Sequence, residues 1–135
     1  MVELTLQATV ENLDRVLAFV EENLESKQCP VKIMMQVQVA VEEIYVNIAH
    51  YAYDLEMGMA TIRVEIGSDP LQIIITFIDN GKPYDPLKKA DPDTSLSAEE
   101  RQIGGLGIFM VKKSMDDVKY QYLDGKNILT ISKRI

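Results

Sequence analysis

The sequence predicts an α+β protein: a two-layer α/β sandwich whose mixed, mostly antiparallel sheet carries its helices on one face. Three observations lead there. The periodic segments run β-α-α-β-β, then a long aperiodic stretch, then α-β-β, and strands that follow one another directly favour antiparallel pairing. One strand segment, 71–78, is apolar on both faces, which places it centrally in its sheet. The last two strands flank Asp124-Gly125, a strong hairpin signal.

Residues 3–9 alternate, with Leu4, Leu6 and Ala8 against Thr5, Gln7 and Thr9. A helix over 10–25 follows, its stripe Leu13, Val16, Leu17, Val20 and Leu24, with Thr9 or Asn12 as cap. Cys29-Pro30 breaks that pattern. A longer helix runs from about Lys32 to Tyr53 on the stripe Ile33, Val37, Val41, Ile44 and Ile48. In strand 60–66 the inward set is Ile62, Val64 and Ile66; in 71–78 it is Leu71, Ile73, Ile75 and Phe77, with Ile74 and Ile78 opposite. Asp69-Pro70 makes a tight connection between them. A short helix around 107–115 precedes strands 117–123 and 127–134.

The 135 residues fit one domain, 1–135. A net charge of −7 argues against a general phosphate-backbone binder, so no nucleic acid is expected. With 47% hydrophobic and 26% charged residues, the composition is that of a globular domain. One Cys, Cys29, excludes an intramolecular disulfide, and with a single His it excludes the usual zinc sites. The N-terminus shows no signal peptide, and apolar runs such as Ile73-Ile74-Ile75 are too short to span a bilayer. A cytoplasmic protein without a membrane partner is expected.

Three places carry residues suited to chemistry. In Glu42-Glu43-Ile44-Tyr45-Val46-Asn47, Glu43 and Asn47 are four apart on a helix and lie on the same side of its apolar stripe, at the edge of the core. A carboxylate and an amide oxygen so placed could hold Mg²⁺ and orient a nucleophile; a solvated helix face has the same pattern. Asp79-Asn80-Gly81-Lys82-Pro83 follows the doubly apolar strand. A carboxylate there needs a donor, which a ligand's exocyclic amine supplies, and Gly81 lets the backbone approach it; an Asn-Gly turn reads identically. Residues 80–103 then form a long loop with prolines and many charges, a lid over about 82–103. It ends in Gly104-Gly105-Leu106-Gly107, whose backbone amides at a helix start suit an anion, or a hinge.

In that order, Glu-x-x-x-Asn, Asp-x-Gly, lid and Gly-x-Gly, the sequence resembles the Bergerat-fold ATP-binding superfamily of gyrase, Hsp90, histidine kinases and MutL. Ala40-Val41-Glu42-Glu43 and Asn47-Ile48-Ala49-His50-Tyr51-Ala52-Tyr53 are similar to the single-domain anti-sigma-factor serine/threonine kinases of bacterial partner-switching systems. The resemblance spans about Leu4 to Ile131. It implies ATP and Mg²⁺ as cofactors, Glu43 as the general base and Asn47 as the Mg²⁺ ligand. Asp79 would accept the adenine amine, with Gly81 giving the base room; Gly105, Leu106 and Gly107 would meet the phosphates, and Arg101 would neutralise their charge. It further implies phosphorylation of a small anti-sigma-factor antagonist, with a sigma factor and a second copy of the chain as further partners. Many relatives carry a histidine four residues after the box asparagine; Tyr51 stands there instead, and His50 is assigned no role. The alternative is a non-catalytic, nucleotide-dependent module that sequesters a partner. A histidine-kinase fragment is disfavoured because no helix pair with a phosphoacceptor histidine precedes the ATP-binding region.

Overall fold

The computed structural model describes residues 1–25, 29–53, 58–88 and 105–135, without the side chains of Gly105 and Leu106. Its strands are β1 (Val2–Gln7), β2 (Met59–Gly67), β3 (Gln72–Asp79), β4 (Asp117–Leu123) and β5 (Lys126–Arg134). Its helices are α1 (Leu13–Glu25), α2 (Val31–Tyr51) and α3 (Gly105–Ser114). The five strands form one sheet in the order β1-β2-β3-β5-β4, and every pairing is antiparallel. The doubly apolar segment is indeed the central strand. Ile73, Ile75 and Phe77 are buried on its helix side, while Thr76 is buried and Ile74 and Ile78 half-buried on the other. Leu71 falls outside the strand and is exposed, since the chain is still turning there.

The register builds the core rung by rung. Val64, Ile75 and Ile131 are partners across β2, β3 and β5, as are Ile62, Phe77 and Leu129, and all six are buried. Onto that surface fall Val16, Val20 and Leu24 of α1, Val37, Val41 and Ile44 of α2, and Val111 of α3. Each such side chain contributes about 1.5–3 kcal/mol when fully removed from water. The next rung is Ala60, Asp79 and Asn127, where the apolar ladder stops and polar side chains take the core-facing places.

α2 packs against both α1 and α3. It starts at Val31 directly after Pro30, where the sequence pattern broke. Tyr45, outside the apolar stripe read from the sequence, is fully buried, and its hydroxyl lies 2.7 Å from the Thr9 carbonyl and 3.1 Å from that of Gln7, to which it donates. The expected side-chain cap by Thr9 does not form. A 3-10 turn, Val10–Asn12, precedes α1, and Asn12 donates to the Gln7 carbonyl at 2.9 Å instead. At the β4–β5 hairpin Asp124 and Gly125 both have positive φ, 53° and 76°, as a two-residue turn of this hand requires. Of the expected lid, 82–88 is described and contains the 3-10 turn Pro86–Lys88; residues 89–103, Arg101 among them, lie outside the described residues. No described helix is long and apolar enough to cross a membrane.

Candidate nucleotide-binding site

A pocket opens where the apolar ladder ends. Ile44, Asn47, Ile48 and Tyr51 of the C-terminal half of α2, with Ala52 just beyond its end, form one wall. Phe77 and Asp79 of β3 and Leu129 and Asn127 of β5 form the floor, and Tyr84, Pro86 and Tyr120 close the side. The walls are apolar and aromatic with a few convergent polar groups, the composition of a small-molecule site. The Tyr51 and Tyr84 rings stack, with centroids 6.1 Å apart and planes 27° from parallel.

Asp79 is 5% exposed. Its Oδ1 accepts two hydrogen bonds, from the Gly81 amide and from Asn127 Nδ2, each at 2.9 Å. Burial pushes its pKa up, and those two bonds only partly offset the desolvation. The turn and the ligand readings of Asp79-Asn80-Gly81 are therefore compatible: Oδ1 closes the turn, which leaves Oδ2 for a donor in the pocket. Gly81 has a neighbour that the sequence did not suggest. A Cβ there would overlap the Ala52 carbonyl, and the adjacent Lys82 amide donates to that carbonyl at 3.0 Å. The lack of a side chain brings the turn against the C-terminus of α2. Tyr53 braces the same corner, accepting from the Asn80 amide at 2.8 Å and donating to the Met59 carbonyl at 2.6 Å.

Glu43 and Asn47 lie on the flank of α2. Asn47 lines the pocket, whereas Glu43 turns to α3, its carboxylate seated against Gly107 so closely that a Cβ on Gly107 would overlap Oε2. Gly105, Leu106 and Gly107 belong to α3 itself, which starts two residues earlier than the sequence pattern suggested. Their amides are those of a first helical turn, which have no acceptor within the helix. The fold thus joins Asn47 and Asp79 in one pocket and sets Glu43 beside Gly107.

A family model described as the histidine kinase-like ATPase domain matches residues 6–133. The chain belongs to that family. It is also similar to curated proteins called serine-protein kinase RsbW. The protein from Listeria monocytogenes is 32% identical over 97 residues, covering 68% of this chain and 60% of the relative. That from Bacillus mycoides is 30% identical over 100 residues, covering 71% and 61%. This ATPase domain therefore aligns with about three fifths of these relatives' length. Among solved structures, one of the RsbU and RsbW domains of a Mycobacterium tuberculosis protein superposes with a TM-score of 0.66 at 14% identity, covering 99% of this chain and 32% of that one. The likeness carries the fold.

The sequence does not single out four of the residues that line this pocket: Tyr84, Pro86, Tyr120 and Asn127. Asn127 and Tyr120 sit in strands read only as a hairpin. The signal was an asparagine in the inward phase of β5, in line with Leu129 and Ile131. As for metal, no group of three or more His, Cys, Asp or Glu among the described residues could hold an ion. Asn47 supplies one hard oxygen donor beside the pocket, which fits an ion held mainly by nucleotide phosphates. Gly107→Ala gives a direct check on the Glu43 geometry. The added methyl should push the carboxylate aside while leaving the backbone amide in place. With Glu43 as the general base that the sequence resemblance implies, phosphoryl transfer should fall about 10²-fold, as for a misplacement of about 1 Å, with nucleotide affinity by calorimetry nearly kept.

Proposed function

We propose that this ATPase domain binds ATP with Mg²⁺ in the cytoplasm and transfers the γ-phosphoryl group to a serine or threonine of a small anti-sigma-factor antagonist, acting as an anti-sigma regulatory factor. The observation that carries the reading is the Glu43 carboxylate at Gly107, one helical turn from Asn47 in the pocket. A base at the edge of the pocket, beside the start of a helix, has the arrangement that phosphoryl transfer needs. Such transfer depends on positioning and charge neutralisation more than on covalent help.

The adenine would enter between Ile48, Phe77 and Leu129, with Asp79 Oδ2 accepting its amine. The phosphates would extend toward Asn47 and the first turn of α3, where backbone amides and the helix dipole favour negative charge. Glu43 would take the proton of the attacking hydroxyl. Asn47 would hold Mg²⁺ together with the phosphates, and the ion would supply charge neutralisation. The names of the RsbW relatives support a serine as acceptor.

Asn47→Ala tests the metal assignment. Losing a contact to a charged group costs about 1.5–3 kcal/mol, so affinity for Mg-ADP should fall about 10- to 150-fold. Affinity for ADP in chelator should stay unchanged. An equal loss with and without Mg²⁺ would mean that Asn47 serves the pocket and not the ion. The transfer itself is tested with labelled ATP and a small antagonist protein that carries a phosphorylatable serine or threonine.

A further inference from the structure

We propose that Asn127 is a specificity-determining positioning residue: it locks Asp79 as a hydrogen-bond acceptor and thereby makes the pocket select a 6-aminopurine over a 6-oxopurine. The inference rests on the reading of Asp79 as the group that meets the base.

The side chain of Asn127 is 6% exposed and has no free hydrogen-bonding capacity. Its Nδ2 donates to Asp79 Oδ1 at 2.9 Å and to the Lys82 carbonyl at 2.9 Å, with the Gly81 carbonyl at 3.4 Å. Its Oδ1 accepts from the Tyr84 amide at 3.2 Å and from the Tyr120 hydroxyl. An amide has two N–H donors and one carbonyl oxygen with two lone pairs, so all four capacities are used. The network also fixes which way the amide points. Nδ2 faces three oxygens and Oδ1 faces two donors, so a flipped amide would oppose oxygen to oxygen and donor to donor.

Two consequences follow for the base. First, Asn127 lines the pocket but offers nothing to a ligand, because both ends of its amide are committed. The residue therefore cannot rotate to donate to a carbonyl, which is how an unconstrained amide would accept either kind of purine. Second, its N–H holds Asp79 Oδ1 in the role of acceptor. Burial drives this carboxyl toward its neutral form, and the Asn127 bond works against that. A neutral carboxyl could donate to a 6-oxo group; a carboxylate with Oδ1 occupied presents only an acceptor. At position 6, adenine offers N–H donors and hypoxanthine an oxygen. The locked pair accepts the first and sets two oxygens against each other with the second.

A merely structural asparagine would act on both bases alike, so the readout is a ratio. Calorimetry with ADP and with IDP, which share the same phosphates, gives that ratio for each protein. The wild type should prefer ADP. In Asn127→Ala the preference should contract by roughly 5- to 150-fold, the range of one unsatisfied buried polar group, with ADP losing affinity and IDP keeping or gaining it. Tyr120→Phe keeps the ring and removes only the donor to Oδ1, so it should contract the ratio less and in the same direction; it carries the test if Asn127→Ala does not fold. A preference contracted in either variant, in step with this order, supports the proposal. If both nucleotides weaken by one common factor, or the ratio stays at the wild-type value, Asn127 does not set specificity while the Asp79 reading stands. If the wild type itself binds ADP and IDP equally, the Asp79 reading and this proposal fall together.

Discussion

Glu43→Gln should bind nucleotide as the wild type does and transfer phosphoryl groups about 10²- to 10⁴-fold more slowly, the usual loss when a general base is removed. Glutamine is nearly isosteric, so it can keep the seat against Gly107 and leave α2 undisturbed. What it cannot do is take the hydroxyl proton. Glu42→Gln is the control. Glu42 is exposed and points about 100° away around the helix, so its loss should be nearly silent. The measurement is the phosphorylation rate of the antagonist beside nucleotide affinity. A dead Glu42→Gln with an active Glu43→Gln would move the base by one residue. If neither variant alters transfer, Glu43 is not the base; if the wild type transfers nothing, the chain acts as a nucleotide-dependent binding module.

Asp79→Asn should separate affinity from stability. The asparagine oxygen can still accept from Gly81 and Asn127, but its amide nitrogen then faces the pocket, donor against donor. Nucleotide affinity should drop about 5- to 150-fold, the range for one unsatisfied buried polar group. The ligand-free protein should behave in the opposite sense. The folded pKa of Asp79 lies above its unfolded value, because burial disfavours the charge. A carboxyl so shifted adds stability that is fully present below the unfolded pKa and is lost as pH rises through the folded one. Part of the wild-type Tm should therefore be lost on going upward from the ordinary aspartate pKa of about 3.9, and Asp79→Asn should lack that part. A variant that lost affinity and melted lower at every pH would make Asp79 a structural residue.

Much of the architecture was legible because burial in this chain follows period. Val16, Val20 and Leu24, or Ile73, Ile75 and Phe77, are inward residues whose spacing reports the element directly. The central position of β3 was readable for the same reason, since only a strand with neighbours on both sides tolerates Ile74 and Ile78 opposite its core face. The order β3-β5-β4 was not readable. It depends on a pairing across more than forty residues, to which local spacing is blind. Within the site, Glu43, Asn47 and Asp79 stood out through helix spacing and an acidic strand end. Asn127 did not, because its importance arises from a cross-strand partner. The Thr9 cap did not form: Thr9 stands before the 3-10 turn with the extended backbone of a cap residue, but its side chain makes no capping bond. Gly81 was read as room for a ligand, whereas its visible neighbour is the end of α2. A sequence shows that a side chain is missing and not what fills the gap.

Asp79 and Asn127 face each other at the very end of the β3–β5 ladder. Strand ends are where a sheet opens first, because fewer neighbours hold them than hold a middle such as Ile75 and Ile131. The pocket floor is thus built on the last rung of the β3–β5 ladder, which the side-chain bonds of Asn127 to Asp79 and to the Lys82 carbonyl hold together. A nucleotide seated there would act as a terminal clip on the two strands, and the loss of a nucleotide would be felt first as loosening of their ends, with the interior of the sheet unchanged.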